Sequence, residues 1–185
     1  MAKFHFKLVS KDTNFKLTQD DLYAYSASHP EHFITAEFVI DNRSPLGKIY
    51  NSTFDMFKKM PDDEKWDFLV LMHADVFLDI AHFINHILEC QEKYDVFGLC
   101  GTEILNISHS PLNWYTGSAE YPNRRWGCVT HGELGNQTSF FSNDRVETTD
   151  HSVGCIDGLC MVFSKKAIES GISFNEELRF NCYDT

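Results

Sequence analysis

The chain has 185 residues, of which 43% are hydrophobic and 14% aromatic, enough for one domain with a sizeable core. Its formal net charge of −11 argues against a nucleic-acid or anionic-membrane binder, since both need an excess of Lys and Arg. Small phosphate-bearing ligands stay open, because a local site can oppose the global charge.

The N-terminal MAKFHFKLVSKDT has no long apolar run of the kind a secretory signal carries, and no stretch reaches the roughly 18 apolar residues of a membrane span. A cytoplasmic location is therefore expected. The six cysteines (Cys90, Cys100, Cys128, Cys155, Cys160, Cys182) lie in apolar segments and form no CxxC pair, which reads as buried free thiols. The sequons at Asn51, Asn106 and Asn136 read as chance matches without a secretory signal.

Phe4, Phe6 and Leu8 alternate with Lys3, His5 and Lys7, which is strand periodicity. A capping arrangement of Thr18 and Asp21 opens a short helix that runs through Tyr25 and stops before His29 and Pro30. A second strand, Glu37 to Ile40, ends in Asp41, Asn42 and Arg43. Ser44 and Pro45 then suit an N-cap and a first helical residue, and Leu46, Ile49, Tyr50, Thr53, Phe54 and Phe57 share one helical face.

The third strand is WDFLVLMHADVFLD, in which five apolar residues, Phe68 to Met72, run into His73, Ala74 and Asp75. An isolated carboxylate cannot enter a core without losing its hydration, so Asp75 must stand where the strand emerges. Asp79 caps the next helix, whose stripe is Ile80, Phe83, Ile84, Ile87 and Leu88. His82 and His86, at i and i+4, lack a third ligand in view and read as a solvated face.

Asp95 to Thr102 reads as a fourth strand. Strands alternating with helices at this spacing imply parallel pairing, an α/β sheet, and ligands at the carboxyl ends of the strands. Between Glu103 and about Asp150 the periodicity is lost, and Trp114, Trp126, Arg124 and Arg125 populate a long irregular stretch that suits a lid over a ligand. A last strand, Val153 to Phe163, is interrupted by Asp157 and Gly158; Ser164 caps a short helix closed by Gly171.

Neither GxGxxG, GxxxxGK[ST] nor GxSxG occurs, which weakens dehydrogenase, P-loop and α/β-hydrolase readings. What remains is a set of carboxylates at strand ends: Asp41, Asp75, Asp157 and Asp184. The run with FVIDNRS, GKIYNSTF and FLVLMHADV resembles the nucleotide-binding half of family 2-like glycosyltransferases of the GT-A fold, in the branch where HxDV replaces DxD. The stretch from CIDGLCMVFSKKAI to ISFNEELRFNCYDT resembles that family's second half.

The resemblance implies a Rossmann-like α/β domain: a mixed, mainly parallel sheet flanked by helices on both faces. Its nucleotide-binding half would be 1–103 and its acceptor and catalytic half 104–185. It also implies an inverting transfer of a hexosyl or deoxyhexosyl group from a nucleotide-diphosphate sugar, UDP-sugar favoured, to a glycan or other hydroxyl acceptor. By the same likeness Asp75 holds Mn²⁺ or Mg²⁺ against the diphosphate. Asp41, Asn42, Arg43, Lys48, His73 and Ala74 line the donor, Asp157 lies beside the sugar or acceptor, and Asp184 is the general base. Because that family continues past the YD pair, the chain is expected to belong to a longer protein. Two other readings share the fold class: a non-catalytic nucleotide- or glycan-binding module, and a sugar-phosphate nucleotidyltransferase.

Overall fold

In chain order the elements are β1 (Lys3–Val9), α1 (Lys16–Ser28), β2 (Phe33–Val39), α2 (Leu46–Lys59), β3 (Phe68–His73), α3 (Ile80–Cys90), β4 (Val96–Gly98), β5 (Gly101–Thr102), β6 (Arg125–Trp126), β7 (Val129–Glu133), β8 (Asn136–Phe140), β9 (Cys155–Ile156), β10 (Cys160–Ser164) and α4 (Lys165–Glu169). The computed structural model describes residues 1–10, 16–103, 125–127, 129–133, 136–140 and 150–177.

The main sheet has the order β2-β1-β3-β10-β4. β1 pairs in parallel with β2 and with β3, while β10 runs antiparallel to both β3 and β4. Four of its five strands thus point one way: the parallel pairing expected from the strand and helix spacing holds among β1, β2 and β3, and the antiparallel β10 makes the sheet mixed.

Helices cover both faces. Alternate residues of β3 feed two separate cores: Phe68, Val70 and Met72 pack with Leu22 and Tyr25 of α1 and Phe83, Ile84 and Ile87 of α3. Leu69 and Leu71 face the other way, onto Tyr50, Phe54 and Phe57 of α2 and Ala167 and Ile168 of α4. A strand buried on both faces must be apolar throughout, which is why Phe68–Met72 reads as a continuous run.

The alternation in β1 has a different outcome from a half-solvated strand. His5 and Lys7 are buried too, because α2 covers their face. Each is paired directly across to β2, Lys7 in an ion pair with Glu37 and His5 through Nδ1 to the Thr35 hydroxyl at 2.7 Å. The His5 ring also stacks on Trp66 at 3.9 Å between centroids.

Two expected strands are each broken in two. Asp95–Thr102 becomes β4 in the main sheet and β5 in a small sheet of order β6-β5-β9, and Val153–Phe163 becomes β9 and β10, parted at Asp157, Gly158 and Leu159. Both chains leave the main sheet at the same level. The crossing is tight: a Cβ on Gly98 would sit 2.2 Å from Ile156 Cγ2 and 2.9 Å from the Cys160 carbonyl. The stretch expected to be irregular holds a hairpin, β7–β8, with Glu133 opposite Asn136. Its strands, VTHGE and NQTSF, carry too few apolar residues to show a period of two.

Candidate functional site at the carboxyl edge of the sheet

The three parallel strands are laced together at their exits. The Ser10 amide donates to the Val39 carbonyl and the Asn42 amide to the Ser10 carbonyl, both at 2.9 Å, and the Ala74 amide donates to the Val9 carbonyl at 3.1 Å. Asp41 and Asn42 after β2, and His73, Ala74 and Asp75 after β3, therefore share one edge. Because β10 is antiparallel, its entrance lies at that same edge. The His73 amide donates to the Leu159 carbonyl at 3.0 Å, which brings the Asp157–Gly158 turn alongside.

Asp41 adopts a left-handed backbone (φ 49°), which short polar side chains tolerate better than others. Its carboxylate meets Arg43 at 2.6 Å, with both side chains mostly exposed, so the pair contributes little to stability. Asn42 is buried and both ends of its amide are engaged by Ser44: Nδ2 donates to the carbonyl and Oδ1 accepts from the amide, each at 2.9 Å. That clasp aims the chain into α2. Pro45 sits at the N-cap itself, one residue later than the sequence suggests, with no side-chain capping bond. Lys48 is exposed within the first turn.

His73 is half-buried, Ala74 buried and Asp75 exposed; the Val76 amide closes the turn on the His73 carbonyl at 3.2 Å. Among the described residues the Asp75 carboxylate has no hydrogen-bond or ion-pair partner. Asp157 is half-buried and serves its own turn, Oδ1 accepting from the Leu159 amide at 2.9 Å while its amide donates to the Cys100 carbonyl at 2.8 Å. One carboxylate thus stands unpaired at the strand exit, and another is held beside it with an oxygen already committed.

Asn51 is structural, as its place inside α2 suggests. Its amide clasps Phe174, accepting from the backbone N–H at 2.8 Å and donating to the carbonyl at 2.9 Å. Trp126 donates from Nε1 to Glu103 at 3.0 Å and stacks on His151 at 3.3 Å, so one ring face is taken. Asp184, Trp114 and Arg124 lie outside the described residues. Sequence reasoning missed Phe77 and Ile40, which are 65% and 50% exposed next to the two acidic turns. The available signal at Phe77 was a large apolar residue just past a strand end, whereas Ile40 stood as the last residue of the expected second strand, which ends at Val39.

A cleft of about 630 Å³ lies at the opposite edge, among Phe68, Leu88, Asp95, Ser164 and Lys166. It opens at the amino ends of β3 and β4 and shares no residue with the acidic turns. Lys166 is tied to Asp95 at 2.6 Å, so that charge pair in the cleft is already satisfied.

Among the described residues no helix is long and apolar enough to cross a membrane. No family model matches the chain, and no curated protein matches it. Among solved structures, A197 from STIV is similar at 16% identity and a TM-score of 0.43, covering 94% of this chain and 69% of that one, a likeness too distant to carry an argument about chemistry.

Proposed function

We propose that this protein is a metal-dependent, inverting glycosyltransferase of the GT-A fold, using a nucleotide-diphosphate sugar, UDP-sugar favoured, and a glycan or other hydroxyl acceptor. The observation that carries the reading is the Asp75 carboxylate, without a partner among the described residues, at the exit of the strand that feeds both cores, with the Asp157 turn hydrogen-bonded next to it. Rigid sheet residues hold both turns, which suits groups that must meet a ligand in a fixed geometry.

Asp75 fits Mn²⁺ or Mg²⁺, since such ions use one or two protein carboxylates and take the remaining oxygens from phosphate and water. When bound, the cation supplies positive charge where the leaving diphosphate gains negative charge. His73, next to Asp75, hydrogen-bonds the donor's ribose or donates to a phosphate oxygen, or orients the carboxylate. Arg43, Lys48 and the first-turn amides of α2 oppose the diphosphate, and Asp41 and Asn42 shape the nucleoside end. Asp157 lies beside the sugar or acceptor, and Asp184 removes the acceptor proton as the hydroxyl attacks from the face opposite the leaving group. The free, buried Cys90, Cys100, Cys155 and Cys160 suit a cytoplasmic setting.

The test is a panel of nucleotide-sugars titrated by calorimetry with and without Mn²⁺, followed by NMR of the product anomer. Mn²⁺-strengthened binding of one donor and an inverted product are expected. Absence of binding by every nucleotide-sugar would overturn the proposal; binding with no turnover would replace it by the non-catalytic module.

A further inference from the structure

On sequence spacing His82 and His86 form a pair on one helix face, but the structure separates them. His82 turns to the N-cap of α3, where Nδ1 meets Asp79 at 2.8 Å. His86 instead joins two residues the sequence does not suggest: Cys90, one turn on, and Asp150, which lies 60 residues beyond Cys90. His86 Nε2 is 3.0 Å from Asp150 Oδ1 and 3.5 Å from Cys90 Sγ, and Cys90 Sγ is 3.5 Å from Asp150 Oδ2.

From these three donors we infer that His86, Cys90 and Asp150 form a binding site for a borderline-soft divalent cation, Zn²⁺ above all. A tetrahedral zinc with bonds of about 2.0–2.3 Å holds its ligand atoms about 3.4–3.6 Å apart. The sulfur already stands at such a distance from His86 Nε2 and from Asp150 Oδ2, and a turn of the Asp150 carboxylate that draws Oδ1 back from the imidazole leaves Oδ2 as its one ligand atom. The donor set decides the metal: a thiolate and an imidazole favour Zn²⁺ over Mg²⁺, Ca²⁺ or Mn²⁺, which take oxygen. Glu89 lies 3.7 Å from His86 Nδ1, on the ring nitrogen opposite the site, where metal-bound histidines commonly meet a carboxylate.

Without metal, the Cys90 thiol donates its proton toward Asp150 Oδ2 at 3.5 Å. Coordination would release that proton to solvent, leaving one thiolate, one carboxylate and one imidazole on the ion, with water at the fourth vertex. His86 is half-exposed, which leaves an entry path. The site would staple Asp150, five residues before β9 and seven before Asp157, to the helix that follows the His73–Asp75 turn. It is independent of the carboxyl-edge proposal, and no ligand is shared.

The experiment titrates the full chain with Co²⁺, followed by displacement with Zn²⁺. One equivalent should give the near-ultraviolet charge-transfer band of a thiolate–cobalt bond together with the visible bands of tetrahedral cobalt. Cys90→Ser should remove the thiolate band. His86→Gln, a change at a half-exposed position that leaves the buried core untouched, should weaken affinity by roughly tenfold or more. Asp75→Asn should leave both signals unchanged. Absence of a thiolate band in the wild-type protein, its persistence in Cys90→Ser, or unchanged affinity in His86→Gln would each overturn the inference.

Discussion

The His73 amide and the Leu159 carbonyl, joined at 3.0 Å, extend the β3–β10 ladder one step past the Met72 and Cys160 pair. That bond decides which loop lies beside the His73–Asp75 turn. Asp157 shapes the loop through its Oδ1, so structural and functional roles can be separated by substitution. Asp157→Ala should cost about 1 kcal/mol, measured by urea unfolding, through the lost turn bond. Asp157→Asn keeps an acceptor oxygen and should unfold near wild type, yet lower kcat/KM by roughly tenfold or more if its charge serves the reaction. Equal activity in the Asn variant and the parent would confine Asp157 to the turn.

Asp75→Asn should remove most of the Mn²⁺ enhancement of donor binding while shifting stability by under about 0.5 kcal/mol, since an exposed, unpartnered turn residue leaves the core untouched. Calorimetry with and without Mn²⁺, paired with thermal unfolding, reads both. Metal-dependent affinity identical to wild type would remove Asp75 as the ligand.

Asp184→Asn should reduce kcat by about 10²- to 10⁴-fold with donor affinity nearly unchanged, as expected for loss of a general base. Steady-state kinetics with varied donor and acceptor separates the two parameters. Turnover close to wild type would assign the proton to another group.

Asn51→Ala should destabilise the fold by about 1–3 kcal/mol, because it leaves the Phe174 amide and carbonyl without their partners. The loss should appear as a lower urea midpoint at constant slope. A change below about 0.5 kcal/mol would mean that water replaces the clasp at no cost.

Burial lowers the His5 imidazole to about 4, with Lys7 adding to the effect and Glu37 opposing it. The unfolded chain takes this proton near 6.5 and the folded chain only near 4, so the unfolded state binds more protons between those values. Stability should therefore fall as pH drops from about 6.5 to 4, by about 3 kcal/mol from this group, and level off below. His5→Phe keeps a ring against Trp66 and cannot be protonated. Its unfolding free energy, followed from pH 7 to 4, should show a correspondingly smaller loss than wild type. Parallel curves would show that His5 titrates normally in the fold.

Local chemistry made much of this molecule legible from sequence. The run Phe68–Met72, the stripes of α2 and α3, and the caps at Asp79 and Ser164 stand where periodicity and capping put them, because those signals act within one or two turns of chain. The acidic turns after β2 and β3 were visible for the same reason: a carboxylate must leave a buried strand at its end. The burial of His5 and Lys7 was not visible, since alternation looks alike whether the second face meets water or another helix, and only α2 settles which. Nor could the chain indicate that β10 would insert antiparallel between β3 and β4, carrying Asp157 to His73, or that Asp150 would return to His86 and Cys90. Those encounters join residues tens of positions apart. They are fixed by sheet order and by which faces bury together, and neither is written in any local run of residues.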